Sequence, residues 1–178
     1  IPMRRILCRA GLALGLMLAV PAAAQESGPV TNLPLPRYVS LKASEANVRR
    51  GPGLDYRIDW VYRRAGLPVR VIDEFGHWRR IRDAEGDAGW VYHALLSGRR
   101  TAVVVSEGAL MLGRPVGVPA LGPCGEATGR AGAVACAEAG VVAGLEACAP
   151  HWCRISAGGH SGWVPKSALW GVGAEERS

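Results

Sequence analysis

Cysteine and histidine are the residue types in this chain that could support covalent, metal or nucleophilic chemistry. Four cysteines lie in its C-terminal third: Cys124, Cys136, Cys148 and Cys153. Two histidines, His151 and His160, lie close to the last pair of cysteines. This set permits two disulfides, a zinc site, or a cysteine nucleophile activated by an imidazole.

The cysteine pattern favours disulfides over the other two kinds of site. An even number of cysteines predicts two bridges if the chain reaches an oxidising compartment. Zinc is an alternative, although the spacing lacks the paired short knuckles of structural zinc sites. A cysteine hydrolase needs a free thiol beside a histidine on a large scaffold, and no phosphate loop, metal-binding helix or paired carboxylates indicate another enzyme. The sequence therefore predicts a protein that is not an enzyme and has no cofactor and no metal site.

The N-terminal residues have the pattern of an export signal. Three arginines lie within the first nine residues, an apolar stretch follows at 11–20, and small residues at 22–24 suit cleavage before Gln25. A membrane anchor needs about 20 apolar residues and a charged stop, which this stretch lacks. We therefore expect a cleaved signal peptide at 1–24. The mature protein is then exported, periplasmic or extracellular, with no integral membrane segment.

The mature chain is only mildly basic. The whole sequence has 21 basic and 15 acidic residues, and the leader takes away three basic ones, which leaves 18 against 15 and a net charge of +3. Without a concentrated basic stripe, nucleic acid is not an expected partner, whereas anionic envelope polymers remain an alternative. We expect a flexible lead-in at 25–36 and a frayed, charged tail at 173–178.

A segment in the middle of the chain recurs near its end with the same spacing. A glycine and a tryptophan twelve residues apart occur twice, as Gly66 with Trp78 and as Gly140 with Trp152. Overlaying the two segments matches further pairs: His77 with His151, Arg80 with Arg154, Ile81 with Ile155, and Gly89-Trp90-Val91 with Gly162-Trp163-Val164. An ordered series of this kind indicates an internal duplication. It predicts one unit over residues 37–100 and a second over 101–172.

Each unit has the composition of short strands separated by turns. In the first unit, β-branched and aromatic residues concentrate in five runs: Val39 to Leu41, Trp60 to Tyr62, Pro68 to Ile72, Trp78 to Arg82 and Gly89 to Tyr92. Turn-forming residues separate these runs. Five short strands in about 60 residues hide their edges and core best by closing into a barrel. The sequence therefore predicts an all-β fold with two small barrels.

Three motifs of the first unit resemble the bacterial SH3 (SH3b-like) family. They are Asn47-Val48-Arg49-Arg50-Gly51-Pro52-Gly53, Trp78-Arg79-Arg80-Ile81 and Gly89-Trp90-Val91. The ending Leu95-Leu96-Ser97-Gly98-Arg99-Arg100 resembles the exported proteobacterial branch with tandem SH3 domains. The second unit departs from this pattern, because its opening is reduced to 110–115 and a loop is inserted at about 116–136. The resemblance implies two tandem SH3-like barrels after a cleaved signal peptide.

The resemblance also implies a ligand groove between the long first loop and the hairpin loop of the first barrel. Its residues in this chain are Arg49, Tyr56, Trp60, Trp78, Tyr92 and His93. For Tyr56 and Trp60, the alternative is packing beneath the turn at 51–53. The implied function is recognition of cell-wall peptide or glycan by an exported binding module. The alternative function is a protein–protein scaffold or adaptor in the periplasm.

Strand alternation gives an independent reason to consider Trp78. If Ile81 faces the barrel interior, Arg79 lies on the same side of the strand, and Trp78 and Arg80 point outward. An outward tryptophan is a candidate anchor for a binding partner. The alternative is that Trp78 caps a loop or packs against the other barrel, because large aromatic side chains are usually mostly buried.

The overlay also suggests how the cysteines pair. Cys148 falls on Glu74, and five residues further along Cys153 falls on Arg79, so both pairs flank the same proposed hairpin. We hypothesise that an exposed Glu74–Arg79 ion pair, worth about 0 to 1 kcal/mol, holds this hairpin in the first barrel. A disulfide between Cys148 and Cys153 would hold it in the second, which requires a Cα separation below about 7 Å. The other two cysteines then pair by elimination and tether the inserted loop.

Overall fold

In the described residues, strands form most of the regular structure, with short 3-10 helices at His93–Leu95 and Lys166–Ala168. This computed structural model describes residues 26–115, 124 and 132–177. A two-stranded hairpin, β1 (Glu26–Ser27) and β2 (Pro34–Leu35), precedes two seven-stranded sheets. Within the described ranges, no helix is long and apolar enough to cross a membrane. The predicted signal peptide lies outside the described residues, as does most of the predicted inserted loop.

The first sheet forms the first predicted barrel. Its strands are β3 (Arg37–Leu41), β4 (Ala46–Arg49), β5 (Ile58–Tyr62), β6 (Pro68–Phe75), β7 (Trp78–Arg82), β8 (Ala88–Tyr92) and β9 (Leu96–Ser97). They lie in the order β5-β4-β8-β7-β6-β3-β9, and the strands that pair are antiparallel. The five predicted strands are all present, and β4 is an additional strand formed by part of the Asn-Val-Arg motif.

The second sheet repeats the topology of the first. Its strands are β10 (Thr101–Val104), β11 (Gly108–Leu112), β12 (Ala133–Glu138), β13 (Val142–Cys148), β14 (Trp152–Ala157), β15 (His160–Pro165) and β16 (Leu169–Trp170). Their order is β12-β11-β15-β14-β13-β10-β16, so each strand takes the place of the strand seven earlier in the chain. The predicted all-β fold of two tandem SH3-like barrels is confirmed.

Each barrel has its own apolar core, and residues matched by the overlay occupy equivalent places in it. Ile81 and Ile155 are both 0% exposed, and so are Val91 and Val164. They belong to two separate clusters of buried side chains, one in each sheet. Full burial of such an aliphatic side chain contributes about 1.5 to 3 kcal/mol. The duplication is therefore a duplication of the packing pattern and not only of the sequence motifs.

The hairpin of β6 and β7 contains the ion pair that the overlay suggested, but the pair is buried. The Arg79 Nε lies 3.5 Å from the Glu74 Oε1, and the two side chains are 8% and 0% exposed. The prediction of an exposed pair is therefore wrong. The physical reason is that residues 28–31 lie over the Glu74 carboxylate and exclude solvent from it.

The segment expected to be a flexible lead-in forms a hairpin anchored to the first barrel. The Glu74 carboxylate accepts hydrogen bonds from the backbone N–H of Val30 at 3.1 Å and of Thr31 at 2.8 Å. The Thr31 hydroxyl donates a third at 2.7 Å. Gly28 lies so close that a Cβ at this position would approach the Glu74 Cδ to 2.5 Å. One buried carboxylate therefore organises a segment whose composition gives no sign of order.

Both disulfides join the predicted partners. Cys148 and Cys153 face each other across β13 and β14 with a Cα separation of 4.1 Å. Cys124 is joined to Cys136 with a Cα separation of 5.8 Å. Cys136 lies in β12 and not in the inserted loop, so this bridge fastens the loop to the sheet. Because both bridges consume their thiols, these four cysteines cannot serve as zinc ligands or nucleophiles.

The two barrels contact each other directly. Only residues 98–100 separate β9 from β10. The Thr101 hydroxyl, in the second barrel, donates a hydrogen bond to the carbonyl oxygen of Gly66 in the first at 2.7 Å. The rings of Tyr38 and Trp170 meet edge to face with centroids 5.3 Å apart. Because the connection is short and the barrels also contact each other directly, the two barrels are held in a defined arrangement.

Candidate binding surface

The side chains of β7 alternate between the two faces of the strand as predicted. Arg79 and Ile81 are buried, at 7% and 0% exposure, whereas Arg80 is exposed and Trp78 is half-buried. In register, Trp78 lies opposite Tyr92 of β8. The outward face of this strand pair therefore presents an aromatic residue from each strand.

Four aromatic side chains cluster where β7 and β8 meet their turns, and we call His77, Trp78, Tyr92 and His93 the aromatic patch. Trp78 and Tyr92 meet edge to face with ring centroids 5.6 Å apart. The imidazole rings of His77 and His93 stack at 5.4 Å, and Tyr92 lies 4.9 Å from His93. The backbone N–H of His93 also donates to the carbonyl oxygen of His77 at 2.9 Å. The patch is thus fixed by strand pairing and by a backbone hydrogen bond.

Phe75 extends the aromatic patch on the neighbouring strand. It lies opposite Trp78 in the β6–β7 register and is 63% exposed. Neither Phe75 nor His77 is among the predicted binding residues, because both fall in a predicted turn. The available signal was that Phe75 is the only phenylalanine of the chain, placed in an otherwise polar hairpin.

Arg49 and Tyr56 brace the long first loop from within. The Arg49 Nη1 donates to the carbonyl oxygens of Leu54 at 2.9 Å and Tyr56 at 2.7 Å. The Tyr56 ring lies directly over Gly51, where any Cβ would overlap it, although the side chain is still 49% exposed. Tyr56 therefore packs on the turn at 51–53, which is the alternative that the sequence left open for it. Arg49 therefore stabilises the loop, and its Nη1 is already engaged in these two hydrogen bonds.

The other arginines of this loop are also engaged. The Arg50 Nη2 and the Arg57 Nη2 lie 3.2 Å and 2.8 Å from the Asp59 Oδ1. The hydrogen bond from Arg57 lowers the pKa of the Asp59 carboxyl; burial opposes it, and the hydrogen bond and charge of Arg50 add to the lowering. These exposed pairs leave the loop with no concentrated positive charge for a partner.

Trp60 lies on the inner side of its strand and not in a groove with the others. It pairs in register with Val48, which is 0% exposed, and it packs against the core of the first barrel. Its ring meets Tyr62 edge to face at 6.1 Å and lies beside Gly89. Of the six residues implied by the family resemblance, the structure brings Trp78, Tyr92 and His93 into one cluster. Arg49, Tyr56 and Trp60 lie elsewhere in the barrel.

The second barrel keeps the backbone of this site and loses its aromatic surface. The N–H of Lys166 donates to the carbonyl oxygen of His151 at 3.0 Å, which repeats the bond between His93 and His77. Trp152, however, is 6% exposed and lies opposite Pro165 in register. Proline thus stands at the register position where the first barrel has Tyr92, so the second barrel does not repeat the Trp78–Tyr92 pair.

Two equivalent seven-stranded sheets, each with its own core, define a protein built from tandem SH3-like barrels. In the described part of the chain, the most exposed aromatic cluster of this protein is the aromatic patch with Phe75. The chain belongs to the bacterial SH3 domain family, because the model of that family matches residues 42–98 and 126–171, one region in each barrel.

Two solved structures overlap the chain at low similarity. NlpC2 from Trichomonas vaginalis is 15% identical with a TM-score of 0.32, and the match covers 76% of this chain and 48% of that one. NlpC1 from the same organism is 15% identical with a TM-score of 0.33, and the match covers 88% and 50%. The chain therefore spans about half the length of each. No curated protein matches it in sequence.

Proposed function

We propose that this protein is an exported, non-enzymatic binding module of the cell envelope, located in the periplasm or outside the cell. Its first barrel recognises cell-wall peptide or glycan through the aromatic patch. The observation that carries the proposal is the placement of Trp78 and Tyr92 on the outward face of two paired strands, with their rings 5.6 Å apart. The second barrel acts as a structural partner of the first.

The aromatic patch has the physical properties of a recognition surface. Its members lie on paired strands and on a hydrogen-bonded turn, so little conformational entropy is lost when a ligand binds. Aromatic rings present a flat apolar face and, in tyrosine and histidine, polar edges, which suits both sugar rings and peptide groups. Phe75 and Tyr92, at 63% and 39% exposure, keep a large apolar area in water that a ligand would cover.

The cysteines support a role in binding and an oxidising location. Two disulfides hold the second barrel, which is the arrangement expected of an exported protein. A cysteine hydrolase needs a thiolate beside an imidazole, and Cys148 and Cys153, the cysteines close to His151 and His160 in sequence, are bridged to each other. We therefore propose that the protein acts by binding a partner and not by catalysing a reaction.

Co-sedimentation with purified peptidoglycan tests the proposal. Wild-type protein should be retained, and Trp78→Ala should lower the apparent affinity at least about tenfold, since a central aromatic anchor contributes about 2 kcal/mol or more. Trp163→Ala is the matched control, because Trp163 is a half-buried tryptophan of the second barrel outside the aromatic patch. It should leave retention unchanged.

Three outcomes decide between the functional alternatives. Loss of retention in Trp78→Ala alone supports the aromatic patch. An equal loss in both tryptophan variants would contradict it, provided that their thermal unfolding shows folded proteins. No retention of the wild-type protein even at low salt would instead favour a protein–protein scaffold or adaptor in the periplasm, with the patch binding a polypeptide.

A further inference from the structure

A pocket lies between the two barrels, away from the aromatic patch. Its volume is about 410 Å³, within the range of about 300 to 1,000 Å³ typical of small-molecule sites. The first barrel, the connection and the segment after β16 all line it, and the polar and aromatic residues involved are Arg37, Tyr38, Arg70, Arg100 and Glu176. The pocket is formed where the segment after the last strand of the second barrel meets the first barrel.

Positive charge is in excess in this pocket. Arg37 is paired with the buried Glu74 at 2.7 Å, and Arg100 with Glu176 at 2.7 Å. The Arg70 side chain makes no hydrogen bond or ion pair with any described residue, and its Cζ lies over the Tyr38 ring, 5.9 Å from the centroid. Three guanidinium groups therefore face two carboxylates, and one positive charge is left without a partner.

Two buried hydrogen-bond donors of arginines that line the pocket are also unsatisfied. The Arg37 Nη1 and the Arg100 Nε are buried and have no hydrogen-bond partner among the described residues. Unpaired buried donors are costly, and an acceptor that reaches them gains correspondingly. Excess charge and unmet donors in one concave site together favour an anionic ligand.

The chain itself shows which anion fits. The Glu176 carboxylate binds Arg100 through both oxygens, with Oε1 2.7 Å from Nη1 and Oε2 2.9 Å from Nη2. The N–H of Gly173 donates to the same Oε2 at 2.9 Å. This fork geometry is the one that guanidinium groups form with carboxylates. The segment expected to be a frayed tail therefore folds back and places a carboxylate in the pocket.

From these contacts we infer that the pocket between the barrels is a binding site for a small carboxylate-bearing ligand, whose carboxylate replaces Glu176 on Arg100. Arg70 supplies the second charged contact, and Tyr38 supplies the apolar floor. The resident pair can be displaced because the Arg100 and Glu176 side chains are 32% and 18% exposed, so an incoming carboxylate can reach the guanidinium from solvent. Glu176 then acts as an intramolecular competitor that lowers the apparent affinity for the ligand.

Isothermal titration calorimetry on the whole protein at low salt tests this site, with N-acetyl-L-glutamate as the probe. Glu176→Gln should tighten binding about tenfold, because it removes the internal competitor. Arg70→Gln should weaken binding at least about tenfold in either background, because it removes the unpaired charge. Arg114→Gln is the charge-matched control: Arg114 is exposed and lies outside the pocket, so binding should not change.

A second readout locates the probe. The Trp170 ring touches Tyr38, so the indole N–H signal of Trp170 in a nitrogen-15 correlation spectrum should shift on titration of Glu176→Gln and not of Arg70→Gln. The inference is overturned if Glu176→Gln does not bind the probe, or if Arg70→Gln and Arg114→Gln weaken binding equally. It is also overturned if the neutral diamide of the probe, or inorganic phosphate, binds as tightly as the dicarboxylate. None of these results depends on the aromatic patch, so this site and the proposed function fail or stand separately.

Discussion

The guanidinium of Arg37 lies 2.7 Å from the Glu74 carboxylate, and this pair joins the first strand of the first barrel to the hairpin of β6 and β7. Glu74 also accepts the hydrogen bonds of Val30 and Thr31 and faces Arg79 at 3.5 Å. A buried charge is tolerated only when it is paired and hydrogen-bonded, and this carboxylate meets both conditions. Glu74 therefore connects the N-terminal hairpin, the sheet and one wall of the pocket between the barrels.

Replacing Glu74 should destabilise the first barrel strongly. Glu74→Gln leaves Arg37 and Arg79 without their shared carboxylate, and breaking a buried pair in this way costs about 3 to 5 kcal/mol. The free energy of unfolding, measured with urea, should fall by that amount. Glu146→Gln is the matched control in the second barrel, because the Glu146–Arg154 pair is exposed and its loss should cost less than about 1 kcal/mol. Similar losses in both variants would contradict the account.

The same carboxylate makes the stability of the protein pH-dependent. Burial alone would raise the pKa of Glu74, but hydrogen bonds from Thr31 and Arg37, and from the backbone of Thr31 and Val30, hold it at about 2. In the unfolded chain the pKa is about 4.3. Because the folded pKa is the lower one, the stabilisation is complete above about pH 4.3 and is lost as pH falls toward about 2.

Urea unfolding of the wild-type protein at a series of pH values from about 5 to about 2 should show this loss. Glu74→Gln has no group to titrate at this position, so its midpoint should depend less on pH over the same interval. Parallel curves for the two proteins would show that Glu74 does not account for the acid sensitivity.

The duplication could be predicted because the residues that reveal it have positions set by local strand geometry. The repeated glycine-to-tryptophan spacing predicts the duplication, strand alternation predicts that Arg79 and Ile81 share one side of their strand, and the overlay predicts the bridge between Cys148 and Cys153. Each of these depends on strand geometry alone, and the second sheet reproduces the register of the first.

Features that depend on long-range contacts could not be predicted from the same patterns. The order of residues 26–35 comes from Glu74, which is more than forty positions away from Val30 and Thr31, whose backbone N–H groups it binds. An arginine at position 49 could equally contact a ligand or stabilise its own loop. Its hydrogen bonds to two carbonyl oxygens of the loop show that it stabilises the loop. The pocket between the barrels depends on how the two units are arranged relative to each other, and no sequence motif specifies that arrangement.

The bridge between Cys148 and Cys153 should stabilise the second barrel. Replacing both residues by alanine removes a short covalent loop, which the chain-entropy scale values at about 2 kcal/mol. Thermal unfolding should show a lower midpoint for this double variant, and addition of a reductant should lower the wild-type midpoint at least as far. An unchanged midpoint in the double variant would show that the strand pair of β13 and β14 holds without its bridge.

The two glycines that follow the last strand of each barrel offer a comparison within one chain. Gly171 has a φ of +107°, and a Cβ there would approach the carbonyl oxygen of Thr101 to 2.7 Å and the Cβ of Pro68 to 2.9 Å. Gly171→Ala should therefore cost about 1 to 3 kcal/mol, because it combines backbone strain with a clash at the junction of the barrels. Gly98, its counterpart in the first barrel, has open space around it. Gly98→Ala should change the free energy of unfolding by less than about 0.5 kcal/mol, and an equal effect of the two substitutions would show that the junction is looser than its contacts indicate.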